Sequence, residues 1–305
     1  MAVNYPRYVP RVLAALFLTV GFSARAADQI HMAILTNGVA EVQQLLDNGA
    51  DANGKDDQGR TLLSWAVRLQ RKKIAELLLA KGADPNPSMK GGLTLLHEIA
   101  GVGQTDMIGL LVSNGAPIDC KNELGETPLD LAAGTGAKAS VELLLEMGAN
   151  VNDRAASSGR TALFWAVENL RKDVVEVLLR YKADPNIRDN TRRTPLWYVT
   201  TSPMRAPFAR QPDVKAQDAE RRQAEREIAE ILLTHGADPN AKDLINQTPL
   251  HAAVVSGMTD IAELLIAHGA DVNVRDVAGG TPLRLAETAG NKAIADLLRK
   301  HAATD

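Results

Sequence analysis

The sequence predicts an all-α fold: a solenoid of about eight helix-turn-helix units, caps included, joined by short hairpin loops. Three observations predict it. A threonine-led apolar phrase recurs about every 33 residues, and a second, glycine- and asparagine-bearing phrase keeps step with it. Aromatic residues are only 4% of the chain, while alanine and leucine are plentiful, which favours helices packed through small side chains over a β-rich core.

The N-terminus stands apart from the repeats. Arg7 and Arg11 precede a short apolar run, residues 12–22 (VLAALFLTVGF), and Ala24-Arg25-Ala26 has a small-x-small pattern. Residues 1–26 are therefore expected to be a signal peptide cleaved after Ala26, with an uncleaved membrane anchor as the alternative. Export of this kind points to the periplasm. Without that segment the chain holds 31 basic and 37 acidic residues, a net charge of −6, which gives no global attraction to nucleic acid or anionic lipid. The one cysteine, Cys120, excludes an intrachain disulfide and a cysteine-based zinc site.

The first phrase reads TLLSWAV, TLLHEIA, TPLDLAA, TALFWAV, TPLWYVT, TPLHAAV and TPLRLAE, starting at Thr61, Thr94, Thr127, Thr161, Thr194, Thr248 and Thr281. The steps are 33, 33, 34, 33, 54 and 33 residues. The second reads NGADAN, KGADPN, NGAPID, MGANVN, YKADPN, HGADPN and HGADVN. Threonine is suited to cap the first helix of each unit, with proline at the first helical position in four of them. Paired leucines such as Leu78 and Leu79, or Leu264 and Leu265, give the second helix its buried stripe. Glycine ends that helix in a left-handed conformation, and the Asp/Asn-rich stretch turns into the hairpin. Lys182 occupies the glycine slot of the fifth unit, and Arg192 replaces a hairpin glycine in the sixth.

Two phrases in phase, carrying a TPLHxA box and a GADxN turn, resemble the ankyrin repeat across nearly all of the chain after residue 26. Units are expected near 27–56, 57–89, 90–122, 123–156, 157–189, 190–243, 244–276 and 277–305, the first and last as caps, without an internal domain boundary. The 54-residue step places a 21-residue insert, about 203–223, between the two helices of the sixth unit. Pro203, Pro207 and Pro212 keep its start extended, and Asp213 is placed to cap a helix running from Val214 through 228–234. Charges at helical spacing pair Asp218 with Arg222, Arg221 with Glu225 and Arg226 with Glu230. The first half of that helix lacks an apolar stripe and is expected to project into solvent. Its balanced charge argues against nucleic acid, leaving either a tolerated surface insertion or a recognition element.

No catalytic constellation emerges. The resemblance gives His97 and His251 an inter-repeat hydrogen-bonding role, and the same slot holds Ser64, Asp130, Phe164, Trp197 and Arg284 elsewhere. His235 and His268 precede helix-ending glycines and form no metal-ligand cluster. AAGTGAKAS around Lys138 lacks the adjacent Gly-Lys of a phosphate loop, and Ser64 and Cys120 have no base at a motif spacing. Asn246-Gln247-Thr248 is formally a glycosylation sequon. The reading is a non-enzymatic chain with no cofactor, metal or small-molecule substrate.

What the resemblance implies instead is a protein partner, held by hairpin tips and the concave face of the inner helices. The candidate contacts are Trp65, Trp165, Trp197 and Tyr198 at or beside the box histidine slot, and Lys55, Arg60, Arg160, Arg192, Arg193, Leu244 and Ile245 at the tips. The aromatics serve either as contact anchors or as internal packing. Leu244 and Ile245 are either an exposed apolar contact or packing for the insert. Resemblance to secreted bacterial proteins of this type implies two specific roles: immunity against a periplasm-acting toxin, or support of oxidative-stress defence.

Overall fold

A computed structural model describes residues 26–201 and 214–303. The expected signal segment up to residue 25, and residues 202–213 of the insert with the expected cap Asp213, lie outside the described residues. The fold is all-α, with sixteen α-helices and only isolated β-bridges among the described residues. The chain divides into two compact units, Met1–Asp84 and Pro85–Asp305.

In the first unit, α1 (Ala26–Leu35) and α2 (Val39–Asp47) form one antiparallel pair, and α3 (Leu62–Arg68) and α4 (Lys72–Ala80) the next; α1 packs on α3 and α2 on α4. The second unit repeats this arrangement six times. Its inner layer is α5 (Leu95–Val102), α7 (Pro128–Thr135), α9 (Ala162–Glu168), α11 (Pro195–Val199), α13 (Pro249–Val255) and α15 (Pro282–Thr288), each packed on the next. The outer layer is α6 (Thr105–Ser113), α8 (Lys138–Glu146), α10 (Lys172–Arg180), α12 (Val214–Thr234), α14 (Thr259–Ala267) and α16 (Lys292–Lys300).

The threonines stand at the N-caps of the inner helices in extended backbone, and the hydroxyls of Thr61, Thr127 and Thr281 accept the N–H three residues on. The outer helices carry the leucine stripe: Leu78, Leu111, Leu144, Leu178, Leu232, Leu265 and Leu298 are all 0% exposed. Each such side chain contributes roughly 1.5–3 kcal/mol of burial free energy.

Asparagine then ties successive turns together. In Asn53, Asn152, Asn186 and Asn240 the side-chain amide donates to the carbonyl of Gly82, Lys182, Gly236 and Gly269. The side-chain oxygen of each accepts the N–H of Asp84, Asp184, Asp238 and Asp271. Asn186 makes this two-point contact across 50 residues of sequence, so the turn after the insert sits where an uninterrupted repeat would place it. Asp119 fills the slot in the third phrase; it accepts the Asn150 N–H but has no side-chain donor to return.

The sixth unit confirms a helix from Val214 through Thr234, with Arg221 2.8 Å from Glu225 and Arg226 3.8 Å from Glu230. The burial of this helix begins just past its first half. Ala219, Glu220, Arg222 and Gln223 are exposed, but Glu225 is only 3% exposed, because α12 lies between α10 and α14 and against α11. In the other units the position of Glu225 is a non-helical N-cap, such as Arg171 or Met258 with ψ near 70°. Here the helix continues through it and carries the carboxylate into the packed layer, where Arg221 meets it.

Lys182 adopts φ 65° at the end of α10, closing the same turn that Gly236 closes at φ 84°. Its N–H donates to Leu179 and that of Ala183 to Leu178, so the turn is complete despite the Cβ. Lys182→Gly is therefore expected to raise the unfolding free energy by about 1 kcal/mol. Urea denaturation checks this, and an unchanged or lowered midpoint would show that the lysine costs nothing there.

Candidate functional site

The box histidine slot faces inward. Ser64, His97, Asp130, Phe164, Trp197 and His251 are all buried there, and only Arg284, in the last unit, is exposed. The Nε2 of His97 lies 3.0 Å from the Glu126 carbonyl and must donate to it, so Nδ1 is the acceptor for the Thr94 N–H at 3.2 Å. His251 repeats the arrangement with Thr248 and the Gly280 carbonyl. Burial holds both imidazoles below the ordinary histidine value. Cys120 lies 3.4 Å from the Thr94 hydroxyl and 3.7 Å from His97 Nδ1, and burial pushes its thiol up, away from the reactive thiolate. Asp130 takes the slot with a carboxylate accepting the Thr127 N–H and hydroxyl; burial pushes it up to about 7 against those donors.

This slot corrects one candidate contact. Trp197 is 8% exposed and belongs to the interior, because it is the positional counterpart of His97 and Phe164. Arg193 covers it, with the guanidinium carbon 3.6 Å from the ring centroid. The next position along the helix is the half-exposed one, and it holds Trp65, Trp165 and Tyr198. Each unit thus carries this aromatic position on its own inner helices, Trp65 in the first and Trp165 and Tyr198 in the second.

In the first unit, Trp65 donates its indole N–H to Asp56 Oδ2 at 3.0 Å, and Arg60 Nε reaches the same oxygen at 2.6 Å while its guanidinium carbon stands 4.3 Å from the indole centroid. Burial alone would push the Asp56 carboxyl up; the Arg60 backbone N–H and guanidinium, Trp65 and the Gln58 N–H outweigh it and hold it below the usual carboxylate value. Lys55 is exposed beside this group.

In the second unit the equivalent group is larger. Arg160 donates to Glu168 at 2.9 Å and to the Tyr198 hydroxyl at 2.7 Å, and its guanidinium carbon lies 4.5 Å from the Tyr198 centroid and 5.4 Å from that of Trp165. Tyr198 in turn donates to Asp189 at 2.6 Å. Burial and the Asp189 hydrogen bond push the phenol up, so it remains a donor. Arg193 continues the chain to Asp243 at 3.3 Å. The structure therefore joins Arg160, Tyr198, Arg193, Trp165 and Trp197 into one aromatic–guanidinium seam. Trp165 lacks the carboxylate that serves Trp65: Ala155 stands in that hairpin position, donating to Arg160 as Asp56 donates to Arg60, and the indole N–H of Trp165 is buried without a partner.

The buried carboxylates Asp189 and Asp243 were not among the sequence candidates. Each accepts two backbone N–H groups of its own tip, Thr191 and Arg193 for the first, Ile245 and Gln247 for the second. Their signal was present, since Asp or Asn recurs at 56, 122, 189, 243 and 276, just before each tip. Arg192 is exposed at φ 61°, as its glycine slot requires. Leu244 and Ile245 are 60% and 44% exposed, and Val277 on the following tip, which sequence reasoning passed over, is 65% exposed.

Among the described residues no group of three or more His, Cys, Asp and Glu side chains could hold a metal ion. The arrangement offers a rigid, partly apolar, cation-bearing surface suited to non-covalent contact.

Two predictions follow from these geometries. Tyr198→Phe removes the hydroxyl between Arg160 and Asp189 and should cost about 1–2 kcal/mol in chemical denaturation; a neutral result would mean that water replaces it without loss. Stability should depend on pH through two opposing contributions below neutral. For the histidines, kept uncharged by the fold, the contribution is complete above the ordinary value of 6.5 and declines as pH drops below it. For Asp130 the contribution is complete below 3.8 and is lost as pH rises through about 7. Asp130→Asn should therefore remove the loss of stability that rising pH brings between 3.8 and about 7, and an unchanged loss would remove Asp130 as its source.

Comparison with known proteins gives matches to repeat families. The family model described as ankyrin repeats (three copies) matches residues 14–89, 83–155 and 218–305, and that of the single ankyrin repeat matches residues 158–190. A stretch of 125 residues, 36% of the chain, is 30% identical to neurogenic locus notch homolog protein 1 of Danio rerio. The match spans 5% of that protein's length.

Proposed function

The chain belongs to the ankyrin-repeat family, and from that premise we propose that it is a non-catalytic binding protein, exported to the periplasm, that holds a protein partner against its inner helices and hairpin tips. The observation that carries the reading is the equivalence of Trp65, Trp165 and Tyr198: half-exposed aromatics, each with a guanidinium packed over its ring. Such side chains bury much area at little rotamer cost and are the usual energetic centres of protein interfaces. The ion pairs beneath them fix the rings before a partner arrives, which lowers the ordering cost of association. Export rests on Arg7, Arg11, the apolar run 12–22 and the Ala24-Arg25-Ala26 site.

The test is affinity capture from periplasmic extract with the exported full chain, followed by titration calorimetry with the captured partner. Trp165→Ala is expected to weaken binding at least tenfold with its unfolding midpoint retained, and N-terminal sequencing of the exported chain is expected to begin at Ala27. A partner bound equally by wild type and Trp165→Ala would remove the inner face from the interface. Capture of nothing would remove the binding reading, and a chain retained in the cytoplasm would remove the periplasm. Mixing chain and partner also separates the two specific roles: an immunity protein abolishes the partner's activity, whereas a factor supporting oxidative-stress defence leaves it intact.

A further inference from the structure

The hairpin tips after α10, α12 and α14 form a continuous edge. Arg193 reaches Asp243 across the first gap, and the Val277 N–H donates to the Ile245 carbonyl at 3.0 Å across the second. The charges on this edge are unequal in availability. Asp189 and Asp243 are 5% and 2% exposed, and their oxygens are occupied by tip N–H groups, Tyr198 and Arg193. Arg188, Arg192 and Lys242, in contrast, make no side-chain hydrogen bond or ion pair among the described residues. Leu244, Ile245 and Val277 continue from them as exposed aliphatic side chains on two adjoining tips.

From this juxtaposition of unpaired cations and aliphatic side chains we infer that the edge binds an extended acidic peptide segment of the partner, with carboxylates over Arg188, Arg192 and Lys242 and an aliphatic cluster over Leu244, Ile245 and Val277. The inference rests on the binding function proposed above and names the chemistry of what is bound. Charge complementarity selects the occupant. The insert residues Arg205 and Arg210 carry the same sign as the edge, which disfavours that segment as its cover. Nucleic acid would meet the cations but gain nothing from aliphatic tips, since bases are held by stacking on aromatic rings. Helices in packed layers are about 8–10 Å apart and extended chain advances about 3.3 Å per residue. One repeat step therefore matches about three residues of the segment. Its carboxylates and its aliphatic side chains should lie about three to six residues apart.

Selection of random twelve-residue displayed peptides on the full chain tests this directly. Enriched peptides are expected to be net acidic with Leu, Ile, Val or Phe about three to six residues from the acidic cluster. The enriched peptide is then labelled and titrated in fluorescence anisotropy. The triple variants Arg188→Glu/Arg192→Glu/Lys242→Glu and Leu244→Ser/Ile245→Ser/Val277→Ser are each expected to weaken it at least tenfold, with unfolding midpoints retained because all six side chains lie outside the core. Weakening by added salt should be lost in the charge-reversed variant. Enrichment of basic or uncharged peptides, or of none, overturns the inference, as does equal affinity in either variant. Equal binding of a labelled single-stranded oligonucleotide, competition by the peptide for self-association of the chain, or a gain in affinity on deleting 203–213 would each assign the edge to another occupant. If the captured partner is lost with Trp165→Ala but retained by both triple variants, the binding function stands and this inference fails.

Discussion

No helix pair in this fold can bury its own leucine stripe, and every other feature depends on that constraint. The fully buried leucines from Leu78 to Leu298 are covered only because another pair lies beside them. Packing alone would leave the stacking free to slide along the stripe. The bidentate asparagine contacts remove that freedom, since a shift of one turn would strand both the amide and the N–H that it satisfies. Asn186 shows the force of the device, holding register to Gly236 although the chain makes an excursion between them.

That fixed stacking explains how so small an aromatic content builds a surface. Positions one residue apart on an inner helix differ completely in fate: Trp197 is buried in the slot of His97, and Tyr198 lies half-exposed beside it. The repeated geometry then places Arg160 over Trp165 and Tyr198 and Arg193 over Trp197, with Asp189 beside the first guanidinium, Asp243 beside the second, and the edge contact of Trp197 with Tyr198 joining the two groups into a seam. A polar network of this kind rigidifies the face only when its members are satisfied. The buried indole N–H groups of Trp165, opposite Ala155 where Asp56 would stand, and of Trp197 are left without partners in this pattern.

Much of this was legible from residue spacing. Threonine and asparagine marked the caps and the turns because their side chains bond the backbone locally, and the left-handed positions of Lys182 and Arg192 followed from the glycines they replace. The start of α12 at Val214 was legible because no breaker follows it. What escaped were facts of direction and depth. The buried side of Trp197 was available by analogy with His97, Phe164 and His251, but aromatic character competed with position. Glu225 escaped because a charged residue beside an insert reads as solvent-facing, whereas continuous helix carries it between α10 and α14. Asp189 and Asp243 read as loop formers, and their second oxygens proved to organise the face.

Hydrogen exchange with mass spectrometry, on the full chain with and without its captured partner, tests the central claim that the inner-face aromatics and hairpin tips form the interface. Protection is expected at the amides of α9, α11 and the tips around 188–193, 242–247 and 276–280, with the outer helices unchanged. Protection confined to the outer helices α6, α8, α10, α14 and α16 would contradict it.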